Sequence, residues 1–597
     1  MNRRLAVLCL TITALLPVPA LARNVVLFIA DGLRYDSVTP DIAPTLWKLR
    51  HDGVDFTNSH ALYPTVTTAN ASAIATGHYL GDTGDYGNTL FVDFPVPCRM
   101  GVTVTFLESD CVLTDMKAHF QDGYMGPASL AETARAANLD TFVFGKTGPA
   151  AIQDMDALNG HGLLIDEFTN RPTNPDGTPT KGPLLKGEIA TSVQAATGLG
   201  ASPGPSIPAI VQEAYQTSAV DALLSNRTDA VHSKQPFVLV FWSRDPDYSQ
   251  HNATDSEGKL VPGINGATQH RAIANADSAL KSILDSLKRR GLDKDTDIFV
   301  TADHGFVTVA KGIPDASGDT PPTSLPQGFL VYDIADWLHE KVFDPDRANA
   351  ELDRASGARP SNSNGLIGPS AKSPRVVVAA NSGSDFVYVP GHDLETARTV
   401  FAHLTQAPYV ASLFVDDALL RDHPSDFKGA LPLSAIRLNG VATVNRPDIV
   451  VGFRSFLAKG CKLPALLCTA AVMDTPLRTG MGNHGGPSRA ETRNFMAAIG
   501  PDFKAGFKDA TPVGNADIAP TLAQLLGITL PPKGDWTGRV IGEALKNGKP
   551  VASQAKVERS ETAPSGFRTI LQYQEADGRR YFDAVGMPGR VVGLTAR

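Results

Sequence analysis

The chain alternates short apolar runs with amphipathic stretches, and each run has the length of one buried strand. Val25–Ala30, Thr141–Gly145, Phe237–Ser243 and Ile298–Ala302 are such runs, continuous in apolar character as fully buried strands are. Between the last two lies the strongest helical pattern. Ile273, Leu280, Ile283, Leu284 and Leu287 share one face, and Gly291 stands where the helix should stop. Shorter helices are predicted around Thr45–Arg50, over ANASAIATG, which follows Pro64 and closes at Gly77, and over ADIAPTLAQLLG. The run NFMAAIG continues the sheet. Strand–helix–strand repetition of this kind predicts an α/β fold, a mostly parallel central sheet with helices on both faces.

Three stretches interrupt the pattern. Residues 90–126 carry two cysteines, and residues 165–208 are rich in Pro, Gly and Thr and read as surface loop. Residues 312–480 hold a Ser/Gly/Pro-rich connector and alternating runs such as RVVVAA and SDFVYVP, and read as an inserted cap subdomain that completes the site. The expected organisation is a signal segment at 1–22, a catalytic α/β domain at 23–311 and 481–550, the cap at 312–480 and a C-terminal extension at 551–597. In that extension Phe567–Val585 reads as a hairpin turning at Asp577-Gly578.

Arg3 and Arg4, the apolar run Leu5–Leu16 and then Ala20-Leu21-Ala22 make the pattern of a secretory signal peptide, cleaved before Arg23. The run is 12 residues, whereas a membrane-spanning helix needs roughly 20. No later segment reads as a span. Export would remove Cys9 and leave Cys98, Cys111, Cys461 and Cys468, an even set that suggests disulfides. Of the three possible pairings, the close pairs Cys98–Cys111 and Cys461–Cys468 are preferred, because each staples one surface loop. The net charge of −8 gives no electrostatic footprint for nucleic acid or anionic lipid, so the expected partner is a small molecule. A local basic pocket can still hide inside that average, and the oligomeric state is not legible.

The chemistry sits where the strands end. VVLFIADG delivers Asp31, FVLVFWSRDPDYSQH delivers Asp247 and His251 four apart, TADHG delivers Asp303 and His304, and MGNHGGP delivers His484. Strand C-terminal ends are where open α/β sheets build polar sites. Three carboxylates and three imidazoles suffice for two divalent ions of the zinc type. Asp247 and His251 are spaced to share one face of a helical turn. A nucleophile is still needed, and Thr67 lies at the start of a predicted helix, where backbone N–H groups favour an anion such as phosphate. Read without the metal residues, Thr65, Thr67 and Thr68 serve equally as an N-cap.

These motifs together resemble the alkaline phosphatase superfamily, and within it the type I phosphodiesterase/nucleotide pyrophosphatase branch. The resemblance runs from about Val25 to Gly527 and rests on ADG, PTVTTANASAIATG, the Asp247/His251 pair, ADHG, NHGGP and GNADIAPTLAQLLGI. It implies an alkaline-phosphatase-like fold. It also implies that Asp247, His251 and His484 hold one metal ion and Asp31, Asp303 and His304 the other. Thr67, ten residues before Gly77, matches the nucleophile and would also ligate the second metal. Asn88 matches an asparagine that contacts a non-bridging phosphate oxygen. The implied reaction is in-line displacement by Thr67 to a covalent phosphothreonine, which water then hydrolyses.

Several positions depart from the family pattern. Thr68-Ala69-Asn70-Ala71 stands where its diesterases carry Phe-Pro-Asn-His, and Gln250 replaces the Gly before His251. The sulfatase signature is absent at the nucleophile. Lys146, after the strand TFVFG, matches a lysine found near the phosphoryl oxygens in some monoesterases and phosphonate hydrolases, but Gly148 stands where the monoesterases place an Arg. A phosphodiesterase, with an alkaline phosphomonoesterase or phosphonate hydrolase as the alternative, is therefore the expectation. A binding protein that kept the fold without activity is the remaining one.

Overall fold

The computed structural model describes residues 23–126, 128–173, 180–226, 235–314, 325–461 and 465–595, so the segment expected as a signal peptide lies outside the described residues. The central sheet has eight strands: β1 (Asn24–Ala30), β2 (Val54–Phe56), β3 (Asp140–Gly145), β4 (Leu164–Asp166), β5 (Phe237–Ser243), β6 (Thr296–Thr301), β7 (Met496–Ile499) and β8 (Phe507–Asp509). Their order is β8-β2-β7-β6-β1-β5-β3-β4. β1 runs parallel to both neighbours, with Ile29 level with Trp242 on one side and Thr301 on the other. β3 runs parallel to β5 and to β4.

Period-two alternation along β1 splits its side chains between two cores. Val25, Leu27 and Ile29 pack with Ala69, Ala73 and Ile74 of α2 (Thr67–Thr76). Val26, Phe28 and Ala30 pack with Leu46 and Leu49 of α1 (Pro44–Asp52) and with Ile273, Leu280, Ile283 and Leu287 of the helix Ala267–Arg289. Both faces of the sheet are therefore covered by helices, the condition under which parallel strands read as unbroken apolar runs.

Two local expectations change. β7, the run NFMAAIG, pairs antiparallel with β6. It follows the loop that carries His484, which lies at the C-terminal edge of the parallel strands, so the chain re-enters the sheet from that edge and must run backwards. Within the stretch read as loop at 165–208, Gly187–Thr197 is helical. It buries Val193 and leaves Ile189 exposed among Ala, Ser and Thr, a pattern too weak to announce a helix.

Residues 341–453 build a second eight-stranded sheet, mostly antiparallel. Val377, Ala379, Phe386 and Tyr388 on one face join the core under β1 and α2. Val376, Val378 and Val387 on the other face pack against the helices Phe329–Leu338 and Leu394–Leu404. Strands Ser553–Arg559, Ile570–Ala576 and Arg579–Gly586 form a third, antiparallel sheet. Its tight turn at Asp577-Gly578 has positive φ at both residues, as a two-residue hairpin turn of matching twist requires. Cys98–Cys111 and Cys461–Cys468 are both disulfide-bonded.

Candidate active site and metal centre

Because β1, β3, β5 and β6 are parallel neighbours, their C-terminal ends converge on one edge of the sheet. Asp31 follows β1, Lys146 follows β3, Asp303 and His304 follow β6, and Asp247 and His251 share the short helix Asp247–His251 just after β5. His484 arrives from the far side of the inserted segment. Asp31, Thr67, Asp303 and His304 are fully buried, and Asp247 and His484 nearly so.

Each carboxylate has one oxygen held and one left over. Asp31 Oδ2 accepts from Trp242 Nε1 at 2.8 Å and from Lys146 Nζ at 3.0 Å. Asp303 Oδ1 accepts from the backbone N–H groups of Gly32 and His304 at 2.9 and 3.0 Å. Asp247 Oδ2 accepts from Lys146 Nζ at 3.2 Å. Asp31 Oδ1, Asp247 Oδ1 and Asp303 Oδ2 are buried without a hydrogen-bond partner among the described residues.

The imidazoles are oriented in the complementary way. Nδ1 of His251, His304 and His484 each lies 2.9 Å from a backbone carbonyl, of Gly482, Gly305 and Thr65 respectively. A carbonyl can only accept, so Nδ1 carries the proton and each Nε2 presents a lone pair inward. Those lone pairs meet the orphaned oxygens: His251 Nε2 is 3.1 Å and His484 Nε2 3.5 Å from Asp247 Oδ1, and His304 Nε2 is 3.2 Å from Asp303 Oδ2. Acceptor facing acceptor in a buried site is what a cation between them resolves, and backbone-fixed tautomers are how metal-binding histidines are set. Two groups of ligand atoms here lie within 4.8 Å of one another: Asp31, Asp303 and His304, and Asp247, His304 and His484. His304 thus belongs to both, and His251 reaches the second through Asp247.

Electrostatics follow the same arrangement. Burial, and then the Asp247 carboxylate, pushes Asp31 up to about 7. Burial and Asp31 raise Asp303 well above the usual carboxylate range. Burial lowers His304 to about 3, and burial with the neighbouring His304 lowers His484. Three groups go the other way: against the cost of burial, His251 and Lys146 hold Asp247 well below the usual carboxylate range, Asp247 in turn raises His251, and Lys146 is the third. Burial works against its charge, but Asp247, Asp31 and Glu108 outweigh it and hold the ammonium well above its ordinary value.

The three candidate threonines separate cleanly. Thr65 Oγ1 donates to the carbonyl of Gly486, and Thr68 Oγ1 donates to Asp85. Val66 occupies the N-cap of α2 without a side-chain cap, and Thr67 is the first helical residue. Its hydroxyl lies 3.2 Å from His304 Nε2. Asn88 accepts from the Thr68 N–H at 2.8 Å and donates to Glu108 Oε1 at 3.0 Å, which places its amide beside the start of α2.

Glu108 is the residue that sequence reasoning missed. It stands between the strand Val102–Phe106 and the helix Asp110–Phe120, inside the segment set aside as an interruption. Its other oxygen, Oε2, lies 3.0 Å from Lys146 Nζ. The next helix is tied to the Lys146 loop, because Asp110 Oδ1 accepts from Thr147 Oγ1 and the Gly148 N–H at 3.0 and 3.1 Å. Gly148 has φ of +83°, and a Cβ there would lie 2.5 Å from Glu108 Cα. The side chain that the monoesterase pattern calls for therefore has no room. No local signal marks Glu108, since its role depends on where the insertion folds back. Beside these groups lies a cavity of about 330 Å³, lined by Asn88, Glu108, Lys146, Asp247, His251 and His484, with Asn381 and Ser382 from the second sheet's edge.

Residues 25–318 match the family model of the type I phosphodiesterase / nucleotide pyrophosphatase. No curated protein matches the chain by sequence. Among solved structures the chain is similar to human ectonucleotide pyrophosphatase / phosphodiesterase 5, at 16% identity and a TM-score of 0.49, over 88% of this chain and 100% of that one. The matched segment contains Thr67 and every expected ligand except His484, and the match assigns residues 25–318 to the type I phosphodiesterase / nucleotide pyrophosphatase family, hydrolases of phosphoric ester bonds.

Proposed function

We propose that the chain is a two-zinc phosphodiesterase of the nucleotide pyrophosphatase kind, acting through Thr67. The observation that carries this reading is the Thr67 hydroxyl at 3.2 Å from His304 Nε2, beside three buried carboxylate oxygens that lack hydrogen-bond partners among the described residues. Asp247, His251 and His484 would hold one ion, and Asp31, Asp303 and His304 the other. Such ions supply Lewis-acid stabilisation of charge on oxygen and make a threonine hydroxyl acidic enough to react.

The chain's own groups divide the remaining work. Thr67 Oγ1 attacks phosphorus in line, and a phosphothreonine ester forms as the bond to the leaving oxygen breaks. Water then attacks the same phosphorus, releasing phosphate ester and restoring Thr67. Asn88 is placed to donate to a non-bridging oxygen. Lys146 supports recognition of a phosphoryl group, while its pairing with Glu108 and the glycine at 148 favour the singly charged diester. The monoesterase or phosphonate hydrolase reading stays as the second one, because Lys146 is in the site at all. Asn381, Ser382 and Thr475 line the cavity, which supports residues 312–480 as a cap completing it. Two disulfides and the basic-then-apolar N-terminal segment support an exported protein.

Acid quenching during turnover followed by phosphopeptide mapping tests the nucleophile. The phosphoryl group is expected on Thr67, and Thr67→Ala should lower kcat by several orders of magnitude with metal content retained. Label on Thr65 or Thr68 would refute the assignment.

A further inference from the structure

The loop that carries His484 is gripped from two sides. The His484 N–H donates to Asn483 Oδ1 at 2.9 Å, and its carbonyl accepts from the Gly383 N–H at 3.2 Å. The Gly485 N–H donates to Thr65 Oγ1 at 3.1 Å, and its carbonyl accepts from Ser384 Oγ at 2.7 Å. The Gly486 N–H donates to Glu491 Oε1 at 2.6 Å, and its carbonyl accepts from Thr65 Oγ1 at 2.9 Å. Every backbone polar group from His484 to Gly486 is therefore committed, as buried groups must be.

The two grips come from segments remote in sequence. Thr65 lies two residues before Thr67, and its carbonyl also orients the His484 ring. Gly383 and Ser384 belong to the hairpin between strands Val376–Asn381 and Ser384–Tyr388 of the second sheet. Backbone meets backbone there. A Cβ on Gly485, whose φ is +105°, would lie 2.3 Å from the Asn381 carbonyl oxygen, and one on Gly383 would lie 2.3 Å from the Gly486 nitrogen. Ser384 is fully buried. Its single hydroxyl proton goes to the Gly485 carbonyl, so the Tyr63 hydroxyl, 2.8 Å away, donates to Ser384 Oγ. One serine thus joins the segment before Thr67, the second sheet and the His484 loop. Asp31, Asp303 and His304 are held differently, by Trp242, Lys146, Gly32 and Gly305, all outside residues 312–480.

We propose that Ser384 is a positioning residue for His484, so that the ion held by Asp247, His251 and His484 depends on the docked second sheet while the other ion does not. The inference rests on the two-metal reading above. Ser384 fixes the peptide that follows His484, and with Thr65 it sets the direction in which His484 presents Nε2. Without that hydroxyl the Gly485 carbonyl is left buried and unpaired, and the loop must shift to satisfy it. Partners that orient a ligand in this way are worth roughly ten- to a hundredfold in metal affinity.

Titration of the metal-free full chain with zinc against a chromophoric chelator tests the proposal. The unaltered protein should take up two zinc ions. Ser384→Ala should weaken one of them by roughly ten- to a hundredfold and leave the other unchanged, and excess zinc should restore its kcat. His484→Ala should keep one ion, and adding Ser384→Ala to it should change the affinity of that ion no further, since the two substitutions act on the same site. Thr65→Val removes the opposing grip and should weaken the same ion, which carries the comparison if Ser384→Ala does not fold. Two zinc ions held by Ser384→Ala as tightly as by the unaltered protein would overturn this inference alone. So would equal weakening of both ions, or a further loss in the His484→Ala background, either of which marks Ser384 as general structural support. An unaltered protein that binds no zinc would overturn the two-metal reading and this inference with it.

Discussion

The Lys146 ammonium lies 3.0 Å from Glu108 Oε2, on the side of the cavity where it also meets Asp31 and Asp247. With metal offsetting the charge of those two aspartates at their other oxygens, Glu108 would be the carboxylate left to balance Lys146, and the pair is neutral. A monoester brings nearly two negative charges to this wall and a diester one. Glu108→Gln should therefore raise monoester kcat/KM relative to diester. Lys146→Ala should reduce the monoester by roughly ten- to a hundredfold more than the diester, the worth of one desolvated charge-assisted hydrogen bond. Aryl phosphate monoester and diester assays on the same preparations check both. Equal changes on the two substrates would remove this pair from specificity.

Metal content and activity should fall together. Asp303 and His484 each contribute an atom to one of the two tight ligand clusters, and loss of one ligand empties or distorts a site. Chelation should abolish turnover, and Asp303→Ala and His484→Ala should each remove most of it, with lowered zinc by elemental analysis. Full activity in demonstrably metal-free protein would contradict the two-metal reading.

Asp85 makes stability depend on pH in an unusual direction. It is fully buried, accepts a hydrogen bond from Thr68 Oγ1 at 3.0 Å, and burial pushes it up to about 8. The unfolded chain ionises it near the ordinary value of 3.8. Between those two values the folded state holds a proton that the unfolded state has released, so this residue lowers stability as pH rises through that window, by at most about 1.4 kcal/mol per unit. Asp85→Asn keeps an oxygen for Thr68 and removes the titration. Its stability relative to the unaltered protein should be near zero at pH 4 and grow towards pH 8, measured by denaturant unfolding. A constant difference across that range would refute the linkage.

Much of this site is written in local pattern. Unbroken apolar runs ending on Asp31, Asp247 and Asp303 announce buried parallel strands, and the C-terminal edge of such strands is where polar groups gather. The helix opened at Thr67 and closed by Gly77 is equally local, since it depends on a chain entering extended and leaving through a left-handed glycine. What local pattern cannot do is separate Thr65, Thr67 and Thr68. All three suit a helix start, and only the arrival of His304 from β6 singles out one hydroxyl.

The sequence by itself determined the α/β class and the three Asp and three His that gather at the strand ends, and it favoured the two short disulfide loops, because each follows from periodicity or from neighbours a few residues apart. Tertiary structure alone decided the backward run of β7, the helix at 187–197, the pairing of Glu108 with Lys146 and the grip of Ser384 on the His484 loop. Those features depend on contacts between segments far apart in the chain. Glu108 meets Lys146 across 38 positions, and Ser384 meets Gly485 across 101. No local periodicity records such distances, because they are set by where insertions fold back onto the sheet.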